Sequence, residues 1–146
     1  MKKIFVSLLL IILSGVAMSQ SNNDRVQIEQ AILNYVDAFY QADTTKAYES
    51  VAKNLAKRGY FTTKEGKLVE ATMNFEQLVR FAQQWKKGEN ITADAPKKIT
   101  VFDIMDRTAS AKVEAKWGID YFHLAKINGK WMIMNVLWQE YPKSTN

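Results

Sequence analysis

The chain has no cysteine, one histidine, 2 prolines and 6 glycines among 146 residues. Without cysteine there is no disulfide framework, no thiolate-held zinc or iron–sulfur cluster, no cysteine nucleophile and no lipid-modified N-terminal cysteine. A lone histidine with scattered carboxylates does not make a metal site, so neither metal nor cofactor is expected. Charge of one sign is also scarce. The formal net charge is +5, and two of those positive charges are Lys2 and Lys3 of the leader described below, which leaves too small a surplus to name nucleic acid as a partner. What is present, 47% hydrophobic and 24% charged residues, is the composition of an ordinary globular domain rather than a disordered or collagen-like chain.

No apolar run approaches the roughly 20 residues needed to cross a bilayer as a helix. The longest, Ile4 to Leu13, follows Lys2-Lys3 and precedes a Ser14-Gly15 break and the small residues Ala17 and Ser19. This is the pattern of a secretory signal peptide. Residues 1–19 are therefore expected to be removed, leaving residues 20–146 as a single exported domain, periplasmic or secreted, with no membrane contact after cleavage.

Within that domain, Ile28, Ile32, Tyr35, Val36 and Phe39 recur at helical spacing and predict a helix over about 24–41. Asp43 can cap a second helix carrying Tyr48, Val51, Ala52 and Leu55 on one side, with Lys57-Arg58-Gly59 as its stop. Two short strands about Glu65-Gly66 follow. Asn74, with Gln77 three residues on, then starts a third helix that ends near Lys87-Gly88 and buries Phe75, Leu78, Val79, Phe81, Ala82 and Trp85. From Lys98 the period becomes 2 and predicts four strands, the last two joined by Asn128-Gly129, a strong type I′ hairpin signal. Helices first and an antiparallel meander after them make an α+β fold with helices on one face of the sheet.

Strand parity then assigns faces. Ala109, Ala111, Val113, Ala115 and Trp117 share the apolar side of their strand. A turn at Trp117-Gly118 or Gly118-Ile119 sets Asp120, Phe122 and Leu124 beside them. Counting back from Asn128-Gly129 puts Asn135 opposite Phe122 and Leu137 opposite Asp120. The inner face thus combines small alanines with Trp117, Phe122, Trp131 and Ile133 and two polar groups, Asp120 and Asn135. It is either the wall of a small-molecule pocket or a filled core in which Asp120 bonds Asn135 or a helix tyrosine, Tyr35, Tyr40 or Tyr48. The outer face would carry Ile119, Tyr121, His123, Met132, Met134, Val136 and Trp138, an apolar stripe with a charged edge that suits a dimer interface. His123 lies three positions from Asp120 and so on the opposite face, which argues against a dyad.

The segments IEQAILNYVDAFYQAD, LAKRGYF and above all DYFHLAKINGKWMIMNVLW, residues 120 to 138, resemble the nuclear transport factor 2-like superfamily, and within it the exported bacterial proteins labelled "Putative lumazine-binding". The resemblance spans nearly all of residues 24 to 140. It implies a cone-shaped curved antiparallel sheet with three N-terminal helices on its concave face, a cystatin-like roll that encloses a pocket and dimerises through the outer side of the sheet. Relatives in the superfamily include ketosteroid isomerases and SnoaL-like cyclases and dehydratases, whose chemistry uses an inward carboxylate or histidine with a second acid or oxyanion donor.

Three functions are consistent with this reading. The first is an exported binding protein for a small, flat, partly apolar molecule such as a pteridine, bound by Asp120, Asn135, Trp117, Phe122, Trp131, Tyr35 and Tyr48, with a homodimer through Tyr121, His123, Met132, Met134 and Trp138. The second is a cofactor-free isomerase or dehydratase with Asp120 as general base and a helix tyrosine as oxyanion donor. The third is a protein-interaction module that uses the outer sheet face.

Overall fold

The computed structural model describes residues 22–88 and 91–142; the leader, residues 1–19, lies outside these. Helix α1 spans 22–40 and buries Ile28, Ile32, Tyr35, Val36 and Phe39 along one side, the stripe that its 3.6-residue period predicts. Ala42, in the left-handed region at φ 55°, turns the chain back. Helix α2, Thr44–Ser50, starts at Asp43, whose side chain accepts from the Thr45 amide.

The chain then runs directly into a strand, where the sequence predicted continuing helix. Strand β1 spans Val51–Thr62, and Val51, Ala52 and Leu55 belong to it. Two things hide it. Its alanines, lysines and leucine favour helix, and a register shift between Val51 and Ala56 breaks the two-residue period. Tertiary pairing decides the outcome: β1 lies between β2 (Leu68–Met73) and the last strand of the chain. Helix α3, Phe75–Gly88, follows β2. It opens on the expected capping box, with the Gln77 amide donating to the Asn74 side chain at 2.9 Å and the Asn74 amide to the Gln77 side chain at 2.8 Å.

Strands β3 (Lys97–Ile104), β4 (Thr108–Ala115), β5 (Gly118–Ile127) and β6 (Lys130–Gln139) form the meander. The six-stranded sheet has the order β2-β1-β6-β5-β4-β3; it is curved and unclosed. Its pairs are antiparallel except β1 with β6. The β5–β6 turn has positive φ at both Asn128 (51°) and Gly129 (80°), as a type I′ turn requires. The β4–β5 turn sits at Lys116-Trp117, with Ala115 paired to Gly118, Val113 to Asp120 and Ala111 to Phe122. That is one step from the predicted turn but of the same parity, so Asp120, Phe122 and Leu124 do lie with the alanines, all buried.

One face assignment fails. The β5–β6 register shifts between His123 and Leu124, so that Leu124 pairs with Ile133 but His123 with Asn135, Phe122 with Val136 and Asp120 with Trp138. The extra residue on β6 is a β-bulge. Beyond it every side chain changes sides: Asn135 and Leu137 are exposed, whereas Val136 is buried and Trp138 turns inward.

Candidate functional site

The centre of the inner face is a buried cluster of opposite charges. Lys57 of β1 and Asp120 of β5 are separated by β6, where Val136 pairs with Lys57 and Trp138 with Asp120. The Lys57 Nζ stands 2.8 Å from Asp120 Oδ1, with the two side chains 10% and 0% exposed. Burying a charge is costly unless it is paired and hydrogen-bonded, and Asp120 is both. Its Oδ2 accepts from the Trp117 indole at 2.7 Å and from the Tyr35 hydroxyl at 3.3 Å. Lys57 also donates to the Tyr35 oxygen at 2.6 Å. Burial, reinforced by the Asp120 charge, pushes the Tyr35 phenol well above its ordinary range, so it stays protonated and remains a donor.

Packing fixes these groups. Tyr35 meets Phe122 and Phe39 edge to face, with ring centres 5.2 and 5.3 Å apart. Tyr40 donates to the Pro96 carbonyl and accepts from the Lys116 amide, each at 2.8 Å, and so clamps the turn that carries Trp117. Trp117 in turn packs on Phe39 and Trp85 at 5.1 and 5.2 Å.

Beside the cluster lies a cavity of about 430 Å³, lined by the aromatic rings of Phe39, Phe61, Phe81, Trp85, Trp117 and Trp138, with Ala71, Met73 and Lys57 completing the wall. The sheet register explains this set. Met73 pairs with Lys57 and Ala71 with Gly59, so inward positions of β1 and β2 fall side by side, and α3 covers them with Phe81 and Trp85. Gly59 makes room for the wall itself: a Cβ there would stand 2.1 Å from Cε3 of Trp138, so the indole occupies space that any other residue would take. Trp138 Nε1 is buried without a hydrogen-bond partner among the described residues. Leaving such a donor unsatisfied costs about 1–3 kcal/mol.

Of the residues expected at a ligand site, the structure brings together Tyr35, Trp117, Asp120 and Phe122, with Trp117 alone of the four on the cavity wall. Asn135 is on the outer face for the reason given above. Trp131 is buried at another part of the core, where its indole donates to Asp24 at 3.0 Å. Tyr48 is 52% exposed, edge-on to Phe75 with the Lys53 ammonium above its ring. Trp138, assigned to a dimer surface, is instead a wall of the cavity. Tyr121 and His123 are exposed and Met132 and Met134 partly so, on the outer side together with Phe102, which stacks on Tyr121. Lys57 reads in the sequence as the end of a helix, able to attract an anion at the pocket mouth, because the segment around it favours helix; it is instead a strand residue paired with Asp120. Phe61, Ala71 and Met73 carry an alternating signal across the β1–β2 hairpin that could have found them.

Chemically, Asp120 already accepts three hydrogen bonds and does not line the cavity, so it anchors Lys57 and Trp117 rather than facing a bound molecule. Among the described residues no group of three or more His, Asp or Glu side chains is placed to hold a metal ion. No described helix is long and apolar enough to cross a membrane.

Three solved structures show how widely this architecture recurs. An NTF2-like protein of unknown function from Shewanella baltica is 19% identical with a TM-score of 0.59, covering 83% of this chain and 96% of its own. One from Methylobacillus flagellatus is 22% identical with a TM-score of 0.62, covering 82% and 94%. An NTF2-like protein with a cystatin-like fold from Novosphingobium aromaticivorans is 12% identical with a TM-score of 0.60, covering 89% and 90%. Among curated proteins none matches. At these identities the likeness establishes the fold, a cystatin-like α+β cone with three helices and six strands among the described residues. Membership follows from the family pattern described as "Putative lumazine-binding", which matches residues 23–139; the chain belongs to that family, within the nuclear transport factor 2-like superfamily.

Proposed function

We propose that this is an exported binding protein whose cavity takes one small, flat, largely apolar molecule. The observation that carries the reading is the cavity wall: six aromatic side chains around about 430 Å³ with Lys57 as the one charged side chain among the described lining residues. This is the mixture of apolar surface and few polar groups typical of small-molecule sites. Flat rings favour a flat occupant, because stacked and edge-on aromatic contacts add to the area buried. The family description supports a pteridine as the first compound to try. Export rests on the leader, residues 1–19, and self-association on the exposed Tyr121, Phe102 and Leu137 of the outer face.

The isomerase or dehydratase alternative needs Asp120 as a base with a free lone pair facing substrate. Asp120 is held by Lys57, Trp117 and Tyr35 and is not among the residues that line the cavity, which favours the binding reading.

A thermal-shift panel of bicyclic heterocycles that includes lumazine tests the proposal on the purified protein. Stabilisation by flat heterocycles, diminished in Trp85→Ala, is expected. A panel without any stabilising member, or shifts that Trp85→Ala leaves intact, would count against it.

A further inference from the structure

The aromatic cavity opens on the side of β2. That strand is at the edge of the sheet, so no further strand covers this end of the wall among the described residues. Of the six aromatic side chains, Phe81 of α3 is the exposed one, at 43%, while the others are buried or half-buried. A ring that lines a cavity and still meets solvent stands at its rim. Phe81 and Met73 also line a second space, an open groove of about 330 Å³ whose other walls are Thr72, Gln77, Arg80 and Gln84. Cavity and groove therefore meet at Phe81 and Met73.

The groove is chemically unlike the cavity. Gln77, Arg80 and Gln84 recur at spacings of three and four and so share one side of α3, and Thr72 adds a hydroxyl from β2. Arg80 is the one charged side chain among the described lining residues, and it has no ion pair or hydrogen bond among the described residues. Lys57, the charged side chain of the cavity, is by contrast already neutralised by Asp120. An anion moved into the apolar cavity would lose its hydration without gaining an unpaired cation. The same anion in the groove stays hydrated and meets a planar donor fork that matches carboxylate and phosphate. The two spaces thus sort the two ends of one molecule.

We propose that the groove is a second binding subsite, in which Arg80 holds an acidic tail, carboxylate or phosphate, of a ligand whose flat ring lies in the cavity behind Phe81. The proposal rests on the cavity reading above and adds to it the charged end of the ligand and the residue that recognises it.

Equilibrium dialysis of the purified protein at low salt tests it with naphthalene, 4-(2-naphthyl)butanoate, the neutral 4-(2-naphthyl)butanamide and 2-(2-naphthyl)ethyl phosphate. The anions are expected to bind about threefold to fivefold more tightly than the amide, the range of a solvent-exposed ion pair. That advantage should vanish at about 1 M salt, where the screening length is about 3 Å. Arg80→Gln is expected to erase it and Arg80→Glu to reverse it, each moving the naphthalene Kd by less than about twofold, because Arg80 is exposed and its replacement leaves the core intact. Arg107→Gln, on the β3–β4 turn, removes an equal charge elsewhere and should leave the advantage in place. With naphthalene still bound, three results would overturn the subsite and leave the cavity standing: anions no tighter than the amide, an advantage that survives Arg80→Gln, or one lost equally in Arg107→Gln. An advantage confined to the carboxylate or to the phosphate would support the subsite and identify its acidic group. Failure of every probe to bind would contradict the cavity as a binding site and the subsite with it.

Discussion

Lys57 and Asp120 form an ion pair at 2.8 Å between strands that are not neighbours, and they close over β6 from either side. The pair joins the late meander to the strand that follows α2, so the inner face is tied together by charge as well as by packing. Buried pairs of this kind are weak evidence for stability when both partners are replaced, and strong determinants of it when one is removed.

Removing one partner should therefore be costly. Asp120→Ala strands the Lys57 ammonium and leaves the Trp117 indole without its acceptor, and a loss of about 3–5 kcal/mol in unfolding free energy is expected. Asp120→Leu combined with Lys57→Met should recover the part due to the uncompensated charge but not the part due to the Trp117 indole and Tyr35 hydroxyl, which still lack their acceptor. Urea midpoints compared at equal slope read both outcomes.

The Tyr35 phenol gives an alkaline signature. Its folded pKa is raised above the ordinary 10.0, chiefly by burial, so the folded state holds a proton that the unfolded chain releases. The resulting stability is fully present below pH 10 and is lost as pH rises above it, at about 1.4 kcal/mol per pH unit for one proton. Tyr35→Phe should flatten the fall in stability above pH 10 by about that one-proton slope. Denaturation series at several pH values above and below 10, wild type against variant, measure the difference.

Gly59→Ala should disturb the cavity wall. The added Cβ would fall 2.1 Å from Cε3 of Trp138, and the fused ring has no flexible end to move aside. The expected cost is about 1–3 kcal/mol, in the range of overpacked cores. A displaced indole should also change the tryptophan emission spectrum, which separates a moved wall from a general loss of stability.

Asn74→Ala removes half of the reciprocal cap that starts α3, the helix bearing Phe81 and Trp85. About 1 kcal/mol is the usual cost of such a loss, and a small fall in Tm with the native spectrum retained is expected.

How much of this could be read in advance depended on how regular each strand is. Asp120 was placed correctly because β4 and β5 alternate without interruption, and a turn misplaced by one step on each strand keeps parity. Asn135 and Trp138 were exchanged because parity carried past the β6 bulge inverts, and nothing in WMIMNVLW marks an extra residue. Lys57 lay in a segment whose local preference is helical and whose strand state comes from pairing with β2 and β6, partners that sequence periodicity does not reveal. The aromatic residues of α3 were legible as one face of a helix, but not as the cover of a cavity, because that role depends on β2 lying beneath them.

The cavity is the part of the proposed function that can be blocked directly without touching a charge. Ala71 lines it from β2 and is partly exposed, so Ala71→Trp should fill the space while sparing Lys57, Asp120 and Tyr35. Calorimetric titration of wild type and Ala71→Trp with the best flat ligand from the thermal-shift panel is the most direct measurement. Saturable binding of one molecule per chain to the wild type, and none to the filled variant, is the expected result; equal binding to both would place the ligand elsewhere and contradict the cavity as its site.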